Sequence, residues 1–111
     1  MITFAQRELN GATVLLPKGR LDMVAAPLLR EHIAQTVADG NTRLIIDLSE
    51  TEFLDSSGLA ALVSGLKAAR EAKGDLRIAR PTEQALLVLD LTSMTRVFYP
   101  YASVDDAVNE P

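Results

Sequence analysis

Hydrophobic and polar positions follow one another in short blocks along the chain, and each block predicts one helix or strand. Residues 2–9 and 12–19 have the character of strands and flank Asn10-Gly11, a pair that accepts the positive φ angles of a tight hairpin turn. Apolar residues then recur at helical spacing from Ala25 to Val37, and Asp39-Gly40 supplies a stop. The chain therefore begins with a β-hairpin followed by a helix.

The pattern continues with strands and helices in alternation. The apolar, β-branched run Arg43–Leu48 predicts a strand covered on both faces. A leucine stripe that starts at Leu59 predicts a second helix, for which Gly74 would be the terminating residue. Later blocks predict a strand at 75–79, a helix opened by Thr82, a strand at 96–101 and a terminal helix capped by Ser103.

The order of these elements predicts the fold class. Strands that alternate with helices imply right-handed crossovers and a parallel sheet, which the hairpin extends in mixed fashion. We expect one α/β domain over residues 1–111, with a mixed sheet of four to five strands and about four helices. Pro17 cannot donate a ladder hydrogen bond, so it should lie at a strand end or edge.

Composition and charge exclude several function classes. The formal net charge of −4 indicates no excess of basic residues, so neither nucleic acid nor an anionic membrane is an expected direct partner. The chain has no cysteine, and its one histidine, His32, has no second histidine and no acid at metal-motif spacing beside it, so we expect no metal and no cofactor. The first ten residues include charges and no apolar signal region, which favours a soluble cytoplasmic protein.

The stretch Asp55-Ser56-Ser57-Gly58 lies between a buried strand and a helix. At that point the helix has unpaired N–H groups and the positive end of its dipole, which favour attached or bound negative charge. One interpretation is simply a helix start, because aspartate and serine are preferred caps. However, an acid and two hydroxyls exceed what one cap requires, and Gly58 leaves room beside them.

The same residues carry a family resemblance. The run FLDSSGL at Phe53–Leu59, preceded by RLIIDLSETE and by GRLD at Gly19–Asp22, resembles the STAS domain of bacterial anti-sigma factor antagonists. The resemblance implies a STAS-like fold in a protein that, when unphosphorylated, binds an anti-sigma factor with ATP-dependent serine kinase activity and so frees a sigma factor. It also implies that phosphorylation by this kinase inactivates the protein and that a PP2C-type phosphatase restores it.

Carried over residue by residue, the resemblance implies that Ser56 is the phosphorylated serine. Ser57 would be a cap or a minor acceptor, and Asp55 would present the hydroxyl to the kinase. Asp22 would lie near the same edge, although capping the first helix explains it equally well. The segment LTSMTR departs from the family, in which a glycine often precedes the last strand.

Small residues on the second helix suggest a docking face. Ala60, Ala61, Ser64, Gly65 and Ala68 lie opposite the leucine stripe, and either a partner or another element of the same domain could cover them. If a partner does, Ala61→Arg should leave stability within about 1 kcal/mol. The predicted partner-binding set is Asp22, Asp55, Ser57, Gly58, Leu59, Ala60, Ala61 and Ser64.

Other function classes fit less well. An enzyme would need a base or a nucleophile elbow near Ser56, and the sequence has no G-x-S-x-G, so we expect no catalytic residues. A receiver domain would share the α/β outline and could be phosphorylated at Asp47 or Asp55, but it needs an acidic pair at the end of the first strand, which VLLPKG lacks. A STAS scaffold in another signalling complex, with a non-sigma client, remains open.

Overall fold

The computed structural model describes all 111 residues as six strands, four α-helices and one 3₁₀ turn. In chain order these are β1 (Thr3–Leu9), β2 (Ala12–Leu21), α1 (Ala26–Ala38), β3 (Arg43–Asp47), β4 (Thr51–Leu54), α2 (Ser56–Glu71), β5 (Asp75–Ala79), α3 (Glu83–Leu91), the 3₁₀ turn (Met94–Arg96), β6 (Pro100–Tyr101) and α4 (Val104–Asn109). None of the four α-helices has the length and hydrophobicity that a membrane span requires.

The strands form one mixed sheet. Five of them lie in the order β1-β2-β3-β5-β6, and the sixth, β4, pairs with the last residues of β2, Gly19–Leu21. The β1–β2 hairpin is antiparallel, and Asn10 and Gly11 both have positive φ, as predicted. All other pairs are parallel. The mixed α/β fold is confirmed, but the sheet has six strands rather than four to five, because β4 is only four residues long and was not recognised in the sequence.

The prediction for Pro17 was wrong. Pro17 lies inside the ten-residue strand β2, which pairs with β3 along Thr13–Leu15 and with β4 along Gly19–Leu21. It therefore falls where β2 changes its parallel neighbour and where fewer ladder hydrogen bonds are needed. Its carbonyl accepts a hydrogen bond from Thr51 Oγ1 at 3.2 Å. The sequence could not show this change of partner, because it depends on two distant strands.

Helices cover the two faces of the sheet unequally. The main core contains 21 buried residues, most of them from the sheet and from α1, α2 and α3, among them Leu15, Leu29, Ile46, Leu62 and Leu89. On the other face, α4 packs over a smaller cluster of seven buried residues that includes Val14, Ile45 and Val108. Helix α2 contacts α1, β4 and β5, so it is anchored along one side of its length.

Several predicted element ends are confirmed. Thr82 Oγ1 accepts a hydrogen bond from Ala85 N at 3.2 Å at the start of α3, and Ser103 Oγ accepts one from Asp106 N at 3.0 Å at the start of α4. In the segment LTSMTR, Ser93 adopts a left-handed conformation with φ 58°, which a glycine would adopt more easily. Local sequence patterns therefore predict these boundaries well.

Two predicted element ends were wrong. The left-handed residue after α2 is Lys73, with φ 66°, and not Gly74. Gly74 is required for another reason, because a Cβ there would lie 1.9 Å from the Thr42 carbonyl oxygen. The strand predicted at 96–101 is reduced to Pro100–Tyr101, since Arg96 belongs to the 3₁₀ turn.

Candidate functional site

Ser56 is the first residue of α2, directly after the turn that ends β4. Asp55 is the N-cap residue, and its Oδ1 accepts a hydrogen bond from Gly58 N at 2.9 Å. Ser56 itself is exposed, whereas Asp55 and Ser57 are half-buried. Because Asp55 performs the capping, the Ser56 hydroxyl is not needed for it and lies in solvent at the positive end of the helix. The predicted helix start is thus confirmed.

Asp22 and Asp55 lie at the same edge of the sheet. Each follows the last residue of a strand, and those last residues, Leu21 and Leu54, are paired in the β2–β4 ladder. Asp22 Oδ1 accepts hydrogen bonds from Val24 N at 3.1 Å and Ala25 N at 3.2 Å, so it closes the turn before α1. It is not the N-cap residue of α1, which is Ala25.

Gly58 is buried, and the room that the sequence suggested beside the two serines does not exist. A Cβ at Gly58 would lie 2.2 Å from the Leu21 carbonyl oxygen and 2.8 Å from Leu54 Cδ1. The glycine therefore lets the first turn of α2 approach the ends of β2 and β4. Leu59 is also buried, at 7% exposure. Gly58 has no side chain to present to a partner, which corrects the prediction for it, whereas Leu59 still lines an open groove beside α2 and stays a predicted partner-binding residue.

The small residues of α2 do not form one docking face. Ala61 is completely buried in the main core, and a Cβ at Gly65 would lie 2.8 Å from Ile33 Cδ1 of α1. Another element of the same domain therefore covers this part of the helix, which is the second of the two alternatives. The prediction of Ala61 as a partner-binding residue was wrong, and the condition under which arginine would be tolerated there is not met, so we now expect the buried charge to be costly.

The exposed side of α2 borders an open groove of about 450 Å³. Its lining consists of Ser56, Leu59, Ala60, Val63, Ser64, Lys67 and Met94. Ala60 and Ser64 are exposed, as the docking interpretation requires. Helix α3, which leads into the turn that holds Met94, exposes Leu87 at 56% and Leu91 at 77%. The Ser56 hydroxyl is therefore at the end of a partly apolar surface.

Gln84 is part of this site, although nothing in the sequence pattern indicated it. Its side-chain Oε1 accepts a hydrogen bond from Leu54 N at 2.8 Å, and its Nε2 donates one to Leu54 O at 2.8 Å. Gln84 lies on α3, and Leu54 immediately precedes the Asp55-Ser56 pair. No local motif could reveal this contact, because the two residues are 30 positions apart.

Asp47, at the end of β3, differs from Asp55 because both of its carboxylate oxygens accept hydrogen bonds. Arg80 donates from Nε to Oδ1 at 3.2 Å and from Nη2 to Oδ2, and Ser49 N donates to Oδ1 at 3.0 Å. Burial raises the pKa of Asp47, but the hydrogen bonds from Arg80 and Ser49 outweigh burial and leave the pKa below its ordinary value. A carboxylate bound in this way is not an accessible phosphate acceptor.

Comparisons with known proteins agree with one another. The model of the STAS domain family matches residues 3–107. A crystal structure of an anti-sigma factor antagonist from Mycobacterium paratuberculosis is 32% identical, with a TM-score of 0.86 over 97% of this chain and 92% of that one. A Thermotoga maritima protein assigned as an anti-sigma factor antagonist is 25% identical, with a TM-score of 0.89 over 96% of this chain and 92% of that one.

A curated relative is more similar over a shorter stretch. The anti-sigma-F factor antagonist RsfB of Mycobacterium tuberculosis is 44% identical over 63 residues, which is 57% of this chain. The match covers 52% of RsfB, so it extends over about half of that protein's length.

Proposed function

This chain belongs to the STAS domain family, and we propose that it acts as an anti-sigma factor antagonist controlled by phosphorylation of Ser56. In this proposal the unphosphorylated chain binds an anti-sigma factor and so releases a sigma factor. The anti-sigma factor is also the ATP-dependent serine kinase that phosphorylates Ser56, and a PP2C-type phosphatase reverses the reaction. The observation that carries the proposal is the exposed Ser56 beside a groove, with capping left to Asp55.

Phosphorylation of Ser56 should leave the fold intact. A phosphoserine carries roughly −1.5 to −2 charge at neutral pH, and a negative group in the first turn of a helix gains about 0.3–1 kcal/mol from the dipole. Ser56 is exposed, so the phosphate would remain hydrated and displace no core side chain. Asp55 lies next to it and opposes part of that gain by repulsion. The net effect on the free energy of unfolding is therefore small.

The effect on a docked partner is larger. If a partner covers Ser56, the phosphate must lose water without gaining a matched cation, and an unpaired buried charge costs several kcal/mol. A difference of about 1.4 kcal/mol already changes affinity tenfold. Phosphorylation would therefore release the partner by electrostatic exclusion, with little change in the structure of the chain itself.

The docking surface that we propose is the groove along α2. It begins at Ser56, continues past Ala60 and Ser64, and includes the apolar Val63 and Met94. Asp22, Asp55 and Ser57 do not line this groove, but Asp55 and Ser57 flank Ser56 in the chain and Asp22 lies at the same edge of the sheet, so they remain predicted partner-binding residues. An apolar centre with polar residues around it is the usual anatomy of a protein interface.

The test is a phosphopeptide map of the full chain after incubation with ATP and the anti-sigma factor kinases of the source organism. We expect label at Ser56 and no label in Ser56→Ala. Ser64→Ala is the matched control, because Ser64 is an exposed serine on the same side of α2. Absence of label with every kinase would contradict the proposal and favour a scaffold with a non-sigma client.

A binding measurement tests the exclusion mechanism separately. Ser56→Asp adds one negative charge and should weaken binding to the anti-sigma factor about tenfold or more. Ser64→Asp places the same charge two turns further along the groove and shows whether position matters. If Ser56→Asp binds as tightly as the unsubstituted chain, charge exclusion at Ser56 is wrong even if the serine is phosphorylated.

A further inference from the structure

The short strand β4 has a ladder partner on one side only. It pairs with β2, and no strand pairs with its other edge. Leu54, its last residue, is completely buried, so its N–H and C=O would be costly to leave unpaired. The Gln84 side chain supplies both partners, each at 2.8 Å. Its amide offers one acceptor and one donor in fixed geometry, as a residue of a neighbouring strand would.

The Leu54-Asp55-Ser56 turn is held by β2 on one side and by α3 on the other, and the hydrogen bonds from α3 are the shorter ones. On the β2 side, Asp55 N donates to the Leu21 carbonyl at 3.4 Å, which is long for a backbone hydrogen bond. On the α3 side, both bonds from Gln84 to Leu54 have good length. The Leu54 peptide units precede the Asp55 cap and Ser56, so their orientation determines where α2 begins and where its first hydroxyl points.

Gln84 itself is held firmly in place. It is the second residue of α3, between the Thr82 cap and the fully buried Ala85. The same helix exposes Leu87 and Leu91 to solvent. We propose that Gln84 is a positioning residue that holds the Leu54-Asp55-Ser56 turn in the conformation that the kinase phosphorylates. This inference rests on the proposed function, and it assigns Gln84 a role in presenting Ser56 rather than in contacting the partner.

The test compares Gln84→Leu with the unsubstituted chain in two measurements. Amide hydrogen exchange by NMR should show that Leu54 and Asp55 exchange about tenfold faster or more, while the amide of Leu15 in the sheet centre is unchanged. Phosphorylation kinetics, with a kinase that labels the unsubstituted chain, should show kcat about tenfold lower and KM within about twofold. A variant that was merely less stable would also expose Leu15.

Two further variants make the experiment decisive. Gln35→Leu removes an exposed glutamine that bonds to Asp39 on α1, so it is a matched substitution away from the site and should change neither measurement. Gln84→Glu keeps the acceptor for Leu54 N but replaces the donor with a carboxylate oxygen that repels Leu54 O, so it should also give faster exchange, most of all at Asp55. If Gln84→Leu will not fold, Gln84→Glu alone decides the result.

The possible failures are distinguishable. Unchanged exchange at Leu54 and Asp55 in folded Gln84 variants would overturn the positioning role, whatever the kinase does. Faster exchange with an unchanged kcat would show that the turn is held by Gln84 but that its conformation does not limit phosphorylation, which also overturns the inference. If no kinase labels the unsubstituted chain, the proposed function fails, and with it this inference about phosphorylation.

Discussion

On one side of α2, Gly58, Ala61 and Gly65 are buried, whereas on the other Ser56, Ala60 and Ser64 are exposed. Both sets consist of small residues, and the sequence suggested one face that mixed members of both, made of Ala60, Ala61, Ser64, Gly65 and Ala68. The buried set is small because other parts of the chain come close to it. The exposed set borders the groove, where small side chains leave space that a partner could fill.

The buried side is not uniform either. At Gly58 the nearest obstacle to a Cβ is the Leu21 carbonyl oxygen at 2.2 Å, which belongs to the backbone of β2. At Gly65 it is Ile33 Cδ1 at 2.8 Å, which is the end of a flexible side chain. The backbone cannot move without disturbing the sheet, whereas the isoleucine can change its rotamer.

A similar contrast separates the two aspartates at strand ends. Asp47 has 4% of its side chain exposed and binds Arg80, whereas the half-buried Asp55 caps α2 and lies beside the exposed Ser56. Buried carboxylates contribute through their partners, and those near the surface contribute mainly through local capping. The following predictions test whether this division between packing and exposure holds.

The largest expected effect is that of Ala61→Arg. An arginine at a completely buried position must either break the core or leave a charge unpaired, and we expect a loss of about 4 kcal/mol or more in the free energy of unfolding. Urea denaturation followed by circular dichroism measures it. Ala34→Arg is the control on an exposed position of α1, with a change within about 0.5 kcal/mol. Equal stability of the two variants would contradict the burial of Ala61.

Gly58→Ala should have the next largest effect. We expect a loss of about 3 kcal/mol, because the new Cβ meets a backbone carbonyl, and a loss of about 1 kcal/mol for Gly65→Ala, where Ile33 can adjust. The two variants add the same methyl group to the same helix, so each controls for the other in urea denaturation. Similar losses would show that backbone and side-chain obstacles are equivalent here.

Asp47→Asn should cost about 2 kcal/mol at neutral pH, because the charged hydrogen bonds to Arg80 are lost. The folded-state pKa of Asp47 is lowered, so its contribution is complete above the unfolded pKa of about 3.9 and is lost as pH falls through the lower folded value. The stability difference between the two chains should therefore shrink below about pH 4.

Asp55→Asn is the matched control for the Asp47 experiment. Asparagine caps helices about as well as aspartate, so this variant should change the free energy of unfolding by no more than about 0.5 kcal/mol. Unfolding curves at several pH values measure both. A difference at Asp47 that does not change with pH would show that the Arg80 pair contributes through packing and not through its charge.

The smallest effect on stability is expected for Ala60→Arg, within about 0.5 kcal/mol, because Ala60 is exposed. Its effect on function should be large, since the side chain would fill the groove and weaken binding to the anti-sigma factor about tenfold or more. Calorimetric titration measures this, with Ala34→Arg again as control. If both arginine variants bind equally well, the partner does not use the groove.

Much of the fold and the centre of the site could be predicted from neighbouring residues. Asn10-Gly11 forms the hairpin turn, Thr82 and Ser103 cap their helices, and Asp55 caps α2 so that Ser56 is its first residue. These features depend on the φ preferences of single residues and on hydrogen bonds between residues no more than three positions apart, so the local sequence is enough to predict them.

The sequence by itself thus determined the order of the elements apart from β4, and the location of Ser56 at a helix start. Only the tertiary structure decided that Gly58 packs against Leu21, that Gly74 approaches Thr42 and that Gln84 completes the edge of β4. It also decided which side of α2 is exposed. The physical reason is that these features depend on close contacts and hydrogen bonds between residues that are about 30 or more positions apart in the chain, and no local pattern encodes them.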